Sequence, residues 1–264
     1  MFCMAGCSGE FILTAPDTVG QAGQDVPVAV RLQRREFWEY VPPTDGAALC
    51  FCMPDGAFKA ARTDKHGYAS VVFPVPDKPG RYDVDISHQD IRGDTCQGSA
   101  WMYVLEGGKP IAVIDLDGLP DAPAEATSAA AAIQALAPRV DIIYTTDKFA
   151  SKPTAAHEFL ARLQYPDSAV VPAFTKKDWL RKYDSPSLPN MIVVLKNRLS
   201  DLRYGITHNA TTANAMQQAG LELIYVGKSG PSGVFHVPDY AHLDLPPARQ
   251  PSGPAGPVSS RPAE

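Results

Sequence analysis

The residues best placed to do chemistry are two carboxylates, Asp115 and Asp117, in the run Ile111-Ala112-Val113-Ile114-Asp115-Leu116-Asp117-Gly118-Leu119. Four apolar residues in a row read as a strand buried on both faces. In an open parallel sheet such a strand delivers the groups at its carboxyl end into the ligand crevice. A carboxylate held there can attack as a nucleophile. A second one, two residues on and in the loop, can protonate a leaving oxygen and then activate water. An exposed acidic turn would carry the same tetrapeptide.

Other reactive groups follow two further apolar runs. Ile142-Ile143-Tyr144 ends in Thr145-Thr146-Asp147-Lys148, and Tyr204-Gly205-Ile206-Thr207 ends in His208-Asn209-Ala210-Thr211-Thr212. No carboxylate lies between Asp201 and Glu222. Lys176, Lys177, Lys182 and Lys196 are among the lysines between the second and third of these runs. Glu125 and His157 fall on helical stretches, and His66 and His88 on loop-like or polar ones. Solvated positions are expected for all four. No Gly-rich phosphate loop, Ser/His/Asp constellation or HExxH occurs.

These groups need elements to position them, and the composition supplies enough core. The chain has 264 residues, 45% of them hydrophobic and 20% charged, sufficient for two ordinary domains. The net charge of −5 is no electrostatic footprint for nucleic acid. No apolar stretch approaches the ~20 residues of a transmembrane helix.

From residue 10 to 106 the pattern is all-β. Val26, Val28, Val30 and Leu32 alternate, as do Tyr82, Val84 and Ile86. Turn signals recur at Pro42-Pro43, Asp45-Gly46, Pro54-Asp55-Gly56 and Pro79-Gly80. Short strands at this spacing predict a β-sandwich. Residues 106–110 form a linker. From 109 to 240 strands alternate with helices over 122–137, 154–163, 188–202 and 211–219, which predicts a parallel sheet with helices on both faces. Met191, Val194, Leu195, Arg198, Leu199 and Leu202 set the helical period of the third. Residues 1–9 read as a leader or loose tail, and 245–264, dense in Pro, Gly, Ser and Ala, as a disordered one.

All five cysteines lie in the first 96 residues. Cys50 or Cys52 could meet Cys96 in one disulfide in an oxidising compartment, or the three could be buried thiols. Met4-Ala5-Gly6-Cys7 has the pattern at which bacterial lipoproteins are cleaved and acylated. Either the match is accidental, or a start upstream supplies the missing signal and Cys7 anchors the chain to a membrane. Cysteine placement favours an exported or membrane-anchored, periplasmic-side protein over a cytoplasmic one.

Two resemblances sharpen these expectations. Thr63-Asp64-Lys65-His66-Gly67 followed by Lys78-Pro79-Gly80-Arg81-Tyr82 resembles bacterial immunoglobulin-like modules of surface and periplasmic proteins, which serve as spacers or binding platforms. Residues 109–228 resemble the haloacid-dehalogenase-like (HAD-like) superfamily, nearest to lipin-type phosphatidate phosphatases. The resemblance implies that Asp115 forms an aspartyl-phosphate, that Asp117 is the acid/base, and that Thr146 and a lysine hold the phosphoryl group; the family's spacing points to Lys182, with Lys176, Lys177 and Lys196 as alternatives. It implies Mg²⁺ at Asp115 and Asp117, with His208 as a weak further ligand where the family has an acid. A small-molecule or lipid phosphomonoester would be the substrate. His208, Asn209 and Thr212 in place of that acid weaken a Mg²⁺ site, because Mg²⁺ prefers carboxylate oxygen. The expected function is therefore phosphomonoester hydrolysis, or alternatively a catalytically degenerate HAD-like domain with a binding or scaffolding role.

Overall fold

The structure, a computed structural model, describes residues 11–35, 42–149, 153–172 and 188–246. Lys176, Lys177 and Lys182, the leader with Cys7, and the tail from 247 onward lie outside the described residues.

The first part is all-β. Strands β1 (Phe11–Thr14), β3 (Asp25–Arg34) and β6 (Tyr68–Pro74) make an antiparallel sheet in the order β1-β3-β6. It shares a core with a second sheet of β2 (Thr18–Gln21), β4 (Ala48–Cys52), β5 (Phe58–Arg62), β7 (Gly80–Gln89) and β8 (Thr95–Leu105), in the order β2-β8-β7-β4-β5. The predicted alternation is real. Val26, Val28, Val30 and Leu32 are at most 1% exposed and pack with Phe51, Phe73, Ile86 and Met102. The turn from β5 to β6 is built by Asp64, whose Oδ1 accepts the amides of His66 and Tyr68. Gly67 is required there. Its φ is +80°, and a Cβ would come within 2.4 Å of the Leu32 carbonyl oxygen.

The cysteine expectation is corrected by register. Strand β7 lies between β4 and β8, so Cys50 faces Ser87 and Cys52 faces Asp85, while Cys96 faces His88 on the other side of β7. Cys96 shares the buried face with Leu49 and Phe51, and Cys50 and Cys52 point the opposite way. Cys96 is disulfide-bonded, and neither Cys50 nor Cys52, both free, is its partner.

The second part is a six-stranded parallel sheet. Its strands are β9 (Ile111–Asp115), β10 (Asp141–Thr146), β11 (Ala169–Pro172), β12 (Leu202–Thr207), β13 (Glu222–Val226) and β14 (Phe235–Val237), in the order β11-β10-β9-β12-β13-β14. Helices α1 (Pro123–Leu136), α2 (Pro153–Arg162), α3 (Leu188–Arg198) and α4 (Ala210–Gln218) connect them. Helix α3 ends four residues sooner than its period suggests, because Leu202 is already paired in β12. Its buried stripe is Leu188, Met191, Ile192 and Leu195, and Val194 is half exposed. Strand β14 is only three residues long, with Phe235 and His236 exposed and Val237 buried, too short for its alternation to mark a strand in the sequence. Leu243 and Leu245 close the core against α1, so packed structure extends to the start of the expected tail.

The two parts share a core. Val19, Tyr103 and Leu105 pack in one cluster with Ile111, Val113, Met191 and Leu195. Polar contacts reinforce the junction: Gln21 Nε2 donates to Asp201 Oδ2 at 3.1 Å and Gln24 Nε2 to the Arg198 carbonyl at 2.7 Å. Among the described residues no helix is long and apolar enough to cross a membrane.

Candidate functional site

Counting the parallel strands from β9 in chain order, the sheet reads 3-2-1-4-5-6, which reverses direction between β9 and β12. Crevices for ligands open beyond the carboxyl ends of strands at such a reversal. Asp115 is the last residue of β9 and Thr207 the last of β12, so both carry side chains to this point.

Asp115 is 5% exposed. Its Oδ1 accepts the Asp117 amide at 3.2 Å, capping the 3₁₀ turn Leu116–Gly118, and its Oδ2 accepts the Thr207 hydroxyl at 2.6 Å. Burial pushes its carboxyl above the usual range, and the nearby Asp117 charge adds to this against the pull of Thr207. On the neighbouring strand Thr145 stands opposite Asp115 in register, is 2% exposed, and its hydroxyl has no hydrogen-bond partner. Three adjacent strand ends thus place Thr145, Asp115 and Thr207 in one row.

Asp117 goes elsewhere. Its Oδ1 accepts the Thr146 hydroxyl at 2.5 Å, and its Oδ2 accepts the amides of Asp147 at 2.7 Å and Lys148 at 3.1 Å. The Thr146 hydroxyl oxygen in turn accepts the Phe149 amide at 3.1 Å. These donors form an anion cradle, filled by the Asp117 carboxylate. Beside it is an open pocket of about 210 Å³, lined by Asp117, Lys148, His208, Phe149 and Phe159 among others. Asp115 does not line it. His208 lies on Gly118, where a Cβ would stand 2.1 Å from its Nδ1. A side chain at this position of the Asp-x-Asp-Gly turn would displace the exposed His208 ring.

The structure therefore brings Asp115, Asp117, Thr146 and His208 to one end of the sheet, and does not join them into one constellation. Strand alternation separates Thr146 from Thr145 and so from the row that holds Asp115. Thr145 and Thr207 were missed from the sequence; their position as strand-end hydroxyls flanking an aspartate is a register effect. His157 and His88 were misread as solvated. His157 is 7% exposed between the two parts, and His88 is 6% exposed with its Nδ1 2.8 Å from the Ala48 carbonyl oxygen.

Among the described residues no three His, Cys, Asp or Glu side chains come together as a metal site. Both Asp117 oxygens accept hydrogen bonds, and the pocket beside it is lined by one further carboxylate, Asp121, and by the His208 imidazole.

No protein-family model matches the chain, and no curated protein does. Among solved structures, a carbohydrate acetylesterase from Xanthomonas citri is 14% identical with a TM-score of 0.34 over 81% of this chain. A 2,6-sialyltransferase from Photobacterium sp. JT-ISH-224 is 10% identical, with a TM-score of 0.24 over 80% of the chain. A cycloisomaltooligosaccharide glucanotransferase from Paenibacillus sp. is 13% identical, with a TM-score of 0.26 over 77%. The matches span 60%, 41% and 28% of those proteins respectively. Likeness this low carries no functional argument.

Proposed function

We propose that the parallel-sheet part is a HAD-like domain that binds a phosphomonoester, free or on a lipid, without Mg²⁺-dependent turnover, beside an immunoglobulin-like platform. The observation that supports this is the pocket lined by Lys148 and His208 beside the cradle of the Thr146 hydroxyl and the Asp147 and Lys148 amides, donors that a phosphoryl group would take over from the Asp117 carboxylate. Hydroxyl and amide donors converging at a strand end suit phosphoryl oxygens. The Asp115 carboxyl is buried away from that pocket, its charge disfavoured, so it is poorly placed to attack. The disulfide at Cys96 supports an oxidising compartment.

A second reading, hydrolysis through Asp115 as nucleophile and Asp117 as acid/base, is favoured by one observation. The orphan Thr145 hydroxyl beside Asp115 is a donor with nothing to bind. A phosphoryl group reaching the row would satisfy it.

Calorimetric titration with a soluble phosphomonoester, and sedimentation with phosphatidate-containing vesicles, tests the first reading. Binding by the native protein that is lost in Thr146→Val, with no phosphate released with or without Mg²⁺, is the expected result. No binding of either ligand would sink it. Phosphate release that requires Mg²⁺ and disappears in Asp115→Asn would replace it with the second reading.

A further inference from the structure

Where the two parts meet, a group of ionisable side chains lies away from the candidate site. Asp17, in the turn between β1 and β2, and His157, on α2, have side chains 3% and 7% exposed. His157 Nε2 is 2.8 Å from Asp17 Oδ2, which also accepts the Val170 amide of β11 at 2.7 Å. The other ring nitrogen, Nδ1, has no hydrogen-bond partner; the nearest carboxylate oxygen is Asp167 Oδ1 at 3.6 Å. Asp167 is held from the first part by Arg81 Nη1 of β7 at 3.0 Å and by the Tyr103 hydroxyl of β8 at 3.1 Å. Trp101 of β8 meets the imidazole edge to face at 4.2 Å, and the Arg81 guanidinium lies over the Trp101 ring at 4.6 Å. The charged and titratable groups around His157 are therefore Asp17, Asp167, Tyr103 and Arg81. On its own helix, Glu158 and Arg162 are exposed.

We propose that His157, Asp17 and Asp167 form a proton-operated joint, which clamps the β part to the parallel-sheet part while both ring nitrogens carry protons and loosens when one proton leaves. The chemistry lies in Nδ1. A neutral imidazole can keep its Nε2 proton for Asp17, but it then turns an Nδ1 lone pair toward the Asp167 carboxylate. An Nδ1 proton converts that repulsion into attraction and ties α2 to the group that Arg81 and Tyr103 hold. Burial opposes charge on His157, yet Asp167 and Asp17 outweigh it and keep its pKa above the ordinary 6.5. Asp167 is drawn low by His157 first, then by Tyr103 and Arg81. With the histidine raised, the joint is complete below the ordinary histidine value and is lost as pH rises through the folded-state value.

The full chain is titrated while the imidazole ¹⁵N resonances of His157 and the exchange protection of the Val170 amide are followed together. The expected result is a His157 pKa above about 6.5, with Val170 protection, corrected for base catalysis, falling severalfold through the same titration. Asp167→Asn lowers that pKa toward the ordinary value. His157→Gln, which keeps a donor for Asp17, makes the protection independent of pH. A His157 pKa at or below the ordinary value, or Val170 protection that ignores the titration, overturns the proposal. If His157→Gln fails to fold, the surface variant Asp167→Asn decides alone: an unchanged His157 pKa in it also overturns the joint.

Discussion

The buried Asp115 carboxyl has a cost to the fold. Its folded-state pKa lies above the ordinary 3.8, so its contribution to stability is complete only below that value and declines as pH rises through the raised one. At neutral pH a buried carboxylate with one hydroxyl and one amide donor is less favourable than a neutral amide of the same shape. Asp115→Asn is therefore expected to raise stability at pH 7 by about 1 kcal/mol, with the gain vanishing in acid. Urea denaturation at both pH values checks this, and a destabilised variant would show that the charge itself is needed by the fold. Gly118→Ala tests the neighbouring contact. The His208 ring is an exposed side chain that can swing aside, so stability should fall by less than ~1 kcal/mol. The histidine's proton resonances should nonetheless shift.

At the scale of elements, the turn after β10 depends on an acid from another strand end. Thr146→Val removes the donor to Asp117 Oδ1 and the acceptor of the Phe149 amide together. A loss of about 1–3 kcal/mol is expected, since a hydrogen bond to a charged group disappears and an amide loses its partner. Thermal denaturation measures it. Helix α3 offers the contrasting case. Met191 is 3% exposed and Val194 50% exposed, although both fit the helical period. Met191→Ala should cost about 2–5 kcal/mol by leaving a cavity, and Val194→Ala less than ~0.5 kcal/mol as a surface change. Equal effects would mean that the helix is rotated from the position described.

For the whole molecule, the shared core predicts cooperation. Val19, Tyr103 and Leu105 from the β part and Ile111, Val113 and Leu195 from the sheet part are buried in the same cluster, so neither part can unfold without exposing the other's apolar surface. Calorimetry should give a single thermal transition near neutral pH. Two resolved transitions would show that the junction adds little.

The sequence by itself determined the all-β first part and the alternation of strands and helices from β9 to β13, because alternation in β3 and continuous apolar runs in β9 and β10 are local signals of how many faces a strand buries. It also located the Asp-x-Asp-Gly turn and the strand-end Thr and His that accompany it. It could not decide which hydroxyl faces which aspartate, since Thr145 and Thr146 differ only in pleat, and pleat acquires meaning from register with β9. It could not decide the disulfide, because Cys50 and Cys96 are kept apart by the strand between them. His157 is the clearest case. On a helix with mixed neighbours it looks solvated, and only the docking of β8 and the turn holding Asp17 buries it between two carboxylates. Burial and pairing of a charge depend on groups distant in the chain, so tertiary structure alone could assign them.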